Sequence, residues 1–362
     1  MRNIRISIAV IITVLICFGI TMIYSASGIY ALQELGDKTY FLNRHLLFLC
    51  IGLLSAFGIM AMDYRSLQPL AKPLLLITVL LLVLVLVPGI GKASFGARRW
   101  FKIGPFNVQP SEFAKLTLLV YAADFLSRKQ NQIQDFWKGF LPLIIVMGFI
   151  CLLVVKQPDL GNSLLIALGI LAIIFIAGAR LKHIVFLALL GLPALCALII
   201  SAPYRLRRIM SFLRPEEDVQ GIGFQLAQSQ IALGSGGVFG VGLGKSAQKL
   251  FYLPAAHTDF ILSIIGEELG LIGTLAVVFL FVALIWQGAR IVKRVTDPFG
   301  YYLAFGIILM LGLQAVVNIG VSIGALPTKG LPLPFISYGG SALIIHLMAV
   351  ALLLNISRTQ DL

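Results

Sequence analysis

Leu70-Ala71-Lys72-Pro73-Leu74-Leu75-Leu76-Ile77-Thr78-Val79-Leu80-Leu81-Leu82-Val83-Leu84-Val85-Leu86-Val87-Pro88 decides the fold. A run of about 17–25 mostly apolar residues is long enough to cross a hydrocarbon core of roughly 30 Å as a helix. In lipid every backbone group has to bond within its own segment, so the run reads as helix. Comparable runs recur near residues 7–24, 42–62, 70–88, 111–126, 139–155, 161–178, 184–201, 258–287, 299–324 and 338–356. Ten spans in a single domain over residues 1–362 predict an all-α, polytopic integral membrane protein. A membrane barrel would need short alternating strands, and the sequence has none of that pattern. Composition agrees: 59% of residues are hydrophobic and 12% charged, against about 25% charged in an average soluble domain.

The first run imitates a signal peptide, with Arg2 and Arg5 ahead of it and Ser25-Ala26-Ser27 behind. It is longer than the roughly 7–15 residues of a signal core, so it reads as the first span, uncleaved. Cys17, Cys50, Cys151 and Cys196 all fall inside apolar runs without metal-ligand spacing. They read as small buried side chains. The histidines are scattered, and no protein-built metal site is expected.

An even number of spans puts both termini on one face. The short connections on that face carry Arg65 and Lys72, then Arg128, Lys129 and Lys138, then Arg180 and Lys182, then Arg290, Lys293 and Arg294. With Arg2, Arg5 and Arg358 that is 13 of the 28 Lys and Arg residues. Basic residues in short loops mark the cytoplasmic side, so both termini are expected in the cytoplasm. Most of the other cations sit in two long extracytoplasmic loops, about 89–110 and 202–257. Lys92, Arg98, Arg99 and Lys102 crowd the first; Arg205, Arg207, Arg208, Arg214, Lys245 and Lys249 crowd the second. Fixed positive charge there suits anionic headgroups or a pyrophosphate. The Gly- and Gln-rich stretch 221–250 predicts short amphipathic or re-entrant pieces at the interface.

Several short strings stand out. Gly234 to Lys245 fails as a phosphate loop, because Phe239 stands where the first glycine is needed. In Gln109-Pro110-Ser111-Glu112-Phe113-Ala114-Lys115, a proline and an acid open the fourth span. Glu112 and Lys115 are spaced to pair on one helix face. Asp159 is placed to cap the sixth span. Glu267 and Glu268 lie inside the eighth, where exposure to lipid is costly, so at least one is expected to face other helices. Asp259, in Pro254-Ala255-Ala256-His257-Thr258-Asp259-Phe260, begins that span. On residues alone a helix cap and a catalytic base both fit it. The surrounding cations are expected to keep its carboxylate ionised at neutral pH.

Six strings together resemble the SEDS family, which contains FtsW, RodA and SpoVE. They are Gly96-Ala97-Arg98-Arg99-Trp100, Gln109-Pro110-Ser111-Glu112, Gln157-Pro158-Asp159-Leu160-Gly161, the Pro254–Phe260 string, Gly266-Glu267-Glu268-Leu269-Gly270 and Pro334-Phe335-Ile336-Ser337-Tyr338-Gly339-Gly340-Ser341. They occur in order over nearly the whole chain. Gln248–Pro254 and Leu326–Gly330 look closer to FtsW and SpoVE than to RodA. The resemblance implies a peptidoglycan glycosyltransferase of cell division that polymerises lipid II at the outer face of the bacterial cytoplasmic membrane. A class B penicillin-binding protein and other divisome membrane proteins are the implied partners, and no nucleic acid is expected. By position, Asp259 matches the essential aspartate of the family. Arg99, Trp100, Glu112, Lys115, His257, Lys329 and Ser337 match its motifs, and Arg208 joins them as a pyrophosphate candidate. Ala255 departs from a common Glu, Asn162 from a common Thr, and Arg214-Pro215-Glu216-Glu217-Asp218 from the usual Asn-Pro-Trp-x-Asp.

That resemblance implies an inverting transfer in which Asp259 deprotonates the acceptor hydroxyl. Arg99, Arg208 and Lys329 would stabilise the departing polyprenyl pyrophosphate. No resident cofactor is implied, although a pyrophosphate is compatible with a divalent cation. The rival reading is a lipid II flippase, which predicts polar groups along a path through the bilayer midplane. An elongation polymerase of the RodA type is a second rival, and a scaffold that only recruits a transpeptidase is a third.

Overall fold

A computed structural model of the chain describes residues 1–94, 97–104, 106–215, 218, 221–250, 253–254 and 256–359. Gly96, Glu216, Glu217, Tyr252 and the Ala255 departure lie outside the described residues. The apolar runs become α1 (Arg2–Leu35), α2 (Tyr40–Ala61), α3 (Leu67–Leu84), α4 (Pro110–Arg128), α5 (Leu141–Lys156), α6 (Leu160–Ile176) and α7 (Leu181–Ile200). Two helices of the second long loop follow, α8 (Pro203–Leu213) and α9 (Ile222–Ser235). The last spans are α10 (Ile261–Val292), α11 (Pro298–Ser322) and α12 (Gly340–Thr359). Among the described residues 8 helices are long and apolar enough to cross a membrane, and α6 is a shorter apolar one. The tenth span is α4, which carries Glu112, Lys115 and Asp124 turned inward and buried.

Helix boundaries follow local chemistry. Pro110 and Pro298 begin α4 and α11, where their missing amide is no loss. Asp159 accepts from Asn162 N at the start of α6, and Asp297 from Gly300 N at the start of α11. Gly36 ends α1 with φ 72°, the left-handed geometry favoured at a C-terminus. α1 is the clearest departure from the expected spans. Its 34 residues make a rod of about 51 Å at ~1.5 Å per residue. Its last turns run beyond the expected span 7–24, and Tyr30 there packs against Phe41 and His257.

The helices pack in pairs: α2 on α12, α3 on α4, α4 on α11, and α10 between α1 and α11. α11 and α12 are buried along most of their length, whereas α7 is nearly all exposed. Arg5 Nη1 donates to Ser357 O at 3.1 Å, joining the first helix to the last at one end. At that same end Asn355 Nδ2 donates to the carbonyls of Ile59 and Met62. Both termini thus share a face with the α2–α3 connection, as an even number of spans requires.

The first long loop is not helical. It folds as a three-stranded antiparallel sheet of β1 (Gly91–Ser94), β2 (Ala97–Ile103) and β3 (Phe106–Val108). Gly104, at φ 57°, makes the turn between β2 and β3. Period-two alternation over so few residues is a weak signal, and this small sheet is an addition to the all-α expectation.

The Gly-rich run has a structural task instead of the rejected phosphate one. α10 breaks at Gly270, whose φ of 69° and ψ of −163° are not helical. The run inserts into the break. Val241 N donates to Glu267 O at 2.9 Å and Gly242 N to Glu268 O at 3.0 Å. On the other side Leu271 N donates to Gly237 O at 2.9 Å and Ile272 N to Val238 O at 3.3 Å. Backbone freed inside a membrane has to find protein partners, and these four bonds supply them. A Cβ added at Gly236 would lie 1.9 Å from Gly266 O, so only glycine lets the strands of chain approach this closely. Gly236→Ala is expected to cost about 1–3 kcal/mol through overpacking. A lowered thermal midpoint of the purified protein in detergent would show it.

Candidate functional site

The start of α6, α8 and the loop before α12 line an open cleft with about 610 Å³ of empty space, solvent at its mouth included. Pro158, Gly161, Tyr204, Arg205, Arg208, Thr328 and Lys329 line it. Lys329 packs its stem on Gly161, which has no side chain to hold it off; a Cβ there would lie 3.6 Å from Lys329 Cβ. Burial pushes the Arg208 and Lys329 pKa values down, and each cation's neighbour of like charge adds to the effect. Among the described residues neither cation forms an ion pair or a side-chain hydrogen bond. Thr328 adds a buried hydroxyl without a hydrogen-bond partner. Two desolvated cations and a free hydroxyl make a site for a polyvalent anion.

Asp259 adjoins this cleft. It sits in the turn just before α10, whose N-cap position is Phe260. A Cβ added at Gly330, next to Lys329, would come 3.3 Å from Asp259 Oδ2. Burial is the largest influence on its carboxyl and raises the pKa to about 7, against the opposing pull of Arg208 and Arg99 and with a small push from Asp159. The expectation that neighbouring cations hold Asp259 ionised is therefore corrected. Arg208 and Arg99 are close enough to limit the rise but not to cancel the cost of desolvation. No hydrogen bond contributes, so its lone pairs are free to accept a proton. A carboxyl set deep in the packed site, with its pKa raised to about 7, suits a general base better than a helix cap.

Arg99 faces the same region from β2. Its guanidinium donates to Gln157 O at 3.0 Å and to Pro158 O, and lies 5.8 Å from the Trp100 ring. It holds the turn that leads into α6 and lends the site its charge. Below that turn two of the sequence strings meet. Gln109 Nε2 donates to Ser111 Oγ and to Asp159 Oδ2, both at 3.0 Å. Asn162 Nδ2 donates to Asp159 Oδ2 at 2.9 Å, so the departure at 162 is occupied in fixing Asp159.

The other predicted residues lie away from the cleft. Lys115 Nζ pairs with Glu112 Oε2 at 2.8 Å and donates to Gln314 Oε1 at 2.9 Å, all buried in the bundle. His257 packs between Tyr30, Phe41 and Tyr338, with ring centroids 5.9, 4.4 and 5.8 Å away. Burial lowers its pKa to about 4, so the ring is neutral and works as an aromatic wedge between α1, α2 and the last loop. Ser337 Oγ accepts from Leu333 N at 2.9 Å and closes that loop. Glu268 pairs with Lys249 at 2.7 Å and accepts from Ser25 Oγ, while Glu267 accepts from Ala247 N at 2.8 Å. Both acids thus face protein, as expected. Thr328 and Gly330 lie in the Leu326–Gly330 string without a role of their own there, and Gln314 and Asn318 escape the motif reading. The i, i+4 spacing of Gln314 and Asn318 in an apolar helix was the available signal.

Among the described residues no group of three His, Cys, Asp or Glu side chains is gathered to hold a metal ion. Arg205, Arg208 and Lys329 make the cleft lining cationic. Breaking the Glu112–Lys115 pair by Lys115→Met would leave a buried acid uncompensated, at a cost of about 3–5 kcal/mol. Adding Glu112→Gln should restore most of that loss, as read from denaturation midpoints of the single and double variants.

A profile of the family described as "Cell cycle protein" (FtsW, RodA, SpoVE) matches residues 5–362. The chain is 47% identical to the probable peptidoglycan glycosyltransferase FtsW of Geobacter metallireducens, over 95% of this chain and 92% of that one. It is 46% identical to stage V sporulation protein E of Bacillus subtilis, over 97% and 96%. Among solved structures it resembles a chain of a peptidoglycan synthase complex that coordinates polymerization and crosslinking, with 30% identity, 98% and 97% coverage and a TM-score of 0.77. Rod shape determining protein RodA of Thermus thermophilus follows at 31% identity, the same coverage and a TM-score of 0.73.

Proposed function

The chain belongs to the FtsW/RodA/SpoVE family and is a peptidoglycan glycosyltransferase, and on that premise we propose that Asp259 is its general base. The donor is the lipid-linked end of a growing glycan and the acceptor is lipid II. The acceptor hydroxyl attacks C1 as Asp259 takes its proton, and the bond from C1 to the pyrophosphate oxygen breaks with inversion. The polyprenyl pyrophosphate leaves with the electron pair into the cleft, where Arg208, Lys329 and the Thr328 hydroxyl meet its developing charge. A pyrophosphate carries away its own negative charge, so one carboxyl suffices and no second acid is required. The observation that carries the reading is the juxtaposition of the Asp259 carboxyl, with its pKa raised to about 7, and a cleft of unpaired cations.

A flippase would need polar groups lining a route across the bilayer. Here the buried acids are each held by protein, Glu112 by Lys115, Glu268 by Lys249 and Asp124 by Arg128 as ion pairs, and Glu267 by the Ser246 hydroxyl and Ala247 N. That arrangement supports the polymerase. We assign a class B penicillin-binding protein as partner, because the similar complex coordinates polymerization with crosslinking.

Orientation follows from charge. The loop with Arg180 and Lys182 and both termini lie in the cytoplasm, and the cleft lies outside. In a variant without its four cysteines, a cysteine introduced at Lys182 should react with an impermeant maleimide only after cells are permeabilised. One introduced at Ile103, exposed in the first long loop, should react in intact cells; the reverse pattern would invert the topology.

Polymerisation of lipid II by purified protein tests the chemistry. Asp259→Ala should lower kcat by at least about 100-fold, and undiminished polymer would remove Asp259 from the mechanism. A base has to be ionised, so wild-type kcat should fall about tenfold per pH unit below the Asp259 pKa, which lies at about 7. Because burial raises that pKa, ionisation of Asp259 works against folding as pH rises through it. Asp259→Asn should therefore be no less stable than wild type at pH 8, which separates lost chemistry from lost fold.

A further inference from the structure

α11 is apolar apart from a stripe of Gln314, Asn318 and Ser322, spaced four apart and so stacked on one face. All three are buried. Amides at that depth are costly without partners, and each finds one in irregular chain at the outer end of the bundle. Gln314 Nε2 donates to Pro332 O at 2.8 Å. Asn318 Nδ2 donates to Asp259 O at 2.9 Å and to Leu331 O at 2.8 Å. Both of its partners are carbonyls, so only the nitrogen end of the amide can face them, and both its hydrogens are used.

One nitrogen therefore joins two stretches far apart in sequence. The first is the turn that carries Asp259. The second is Lys329-Gly330-Leu331, which carries a cleft cation and the glycine facing the Asp259 carboxylate. We propose that Asn318 is the positioning residue of the transfer reaction: by bridging the Asp259 and Leu331 carbonyls it sets the separation between the base and the pyrophosphate cleft. This rests on the reading of Asp259 as the base. Asn318 is 2% exposed and lies beneath the site, so it acts only through the two segments it holds. A displacement of about 1 Å between base and leaving-group site costs on the order of 100-fold in rate. Gln314 ties the same loop one turn lower, so loss of Asn318 loosens the site without detaching the loop.

Asn318→Leu keeps the γ-branched outline, at a larger volume, and removes both donors. Steady-state polymerisation should show kcat lowered about 10- to 100-fold with KM for lipid II within about twofold. The acid limb should move below pH 7, because a loosened turn admits water to Asp259 and relieves the burial that raises its pKa, while Arg208, Arg99 and Asp159, on other segments, keep their opposing influences. Asn318→Gln retains a donor and should recover part of kcat. Val316→Ala, on the lipid-facing side of the same helix, should match wild type. Unchanged kcat and pH limb in a folded Asn318→Leu protein would overturn the proposal. So would a raised KM at wild-type kcat, which would make Asn318 a holder of the binding loop only. If Asn318→Leu does not fold, Asn318→Gln carries the same test: lowered kcat at constant KM supports the role, and wild-type kinetics ends it. Asp259→Asn measured alongside separates the two claims. Normal kcat there sinks the general-base reading whatever Asn318 does; an inactive Asp259→Asn with a normal Asn318→Leu sinks only the positioning role.

Discussion

A helix that breaks inside a membrane leaves amides and carbonyls with no water to turn to, and at Gly270 the chain meets that constraint with its own backbone. The Gly237–Gly242 segment donates to the carbonyls of Glu267 and Glu268 and accepts from Leu271 and Ile272. Much of the half of the protein that holds the cleft hangs from this insertion. It brings residues 246–249 against the buried acids, where Glu267 takes Ala247 N and Glu268 pairs with Lys249. The chain then runs on from Lys249 to the turn that presents Asp259. The short N-terminal piece of α10 that follows is buried on all sides. A base on such a platform has little freedom to move, which is what preorganised chemistry requires.

The site combines two opposite electrostatic demands at close range. Arg208 and Lys329 are cations that lose hydration without gaining an acidic hydrogen-bond partner, and so they favour an anionic ligand. Asp259 loses hydration too, and its carboxyl moves toward neutrality despite those cations. The same burial therefore sharpens an anion site and tunes a base. Arg99 sits between the two functions. It is anchored on Gln157 and Pro158 carbonyls, so its charge is held at a set distance and is not consumed by an ion pair with the base.

Much of the architecture was legible in the sequence because hydropathy runs and helix-start residues act locally. The ten spans, the Glu112–Lys115 pairing and the Asp159 cap all depend on neighbours within a few residues. The small sheet at 91–108 was not, since its alternation spans too few residues to rise above noise. The Gly-rich run showed that it was no phosphate loop, but nothing local says that it pairs with a break in α10 some thirty residues on. At the site, motifs marked Asp259, Arg99 and Lys329, yet they also carried His257, Ser337, Glu112 and Lys115. Those four are placed in packing, loop closure and a buried pair. Asn318 was invisible to motif reading because its role is to join two loops, which only the folded chain brings together. The Asp259 pKa was misjudged for a related reason: charges can be counted along a sequence, but desolvation is a property of the packed site.

Asp259 as a buried, near-neutral base is the claim on which the rest turns. Infrared difference titration of the protein against Asp259→Asn, following the protonated carboxyl band of that single residue, measures it most directly. A midpoint at about 7 is the result the structure predicts. A midpoint near 4, the ordinary value for an aspartate, would contradict it.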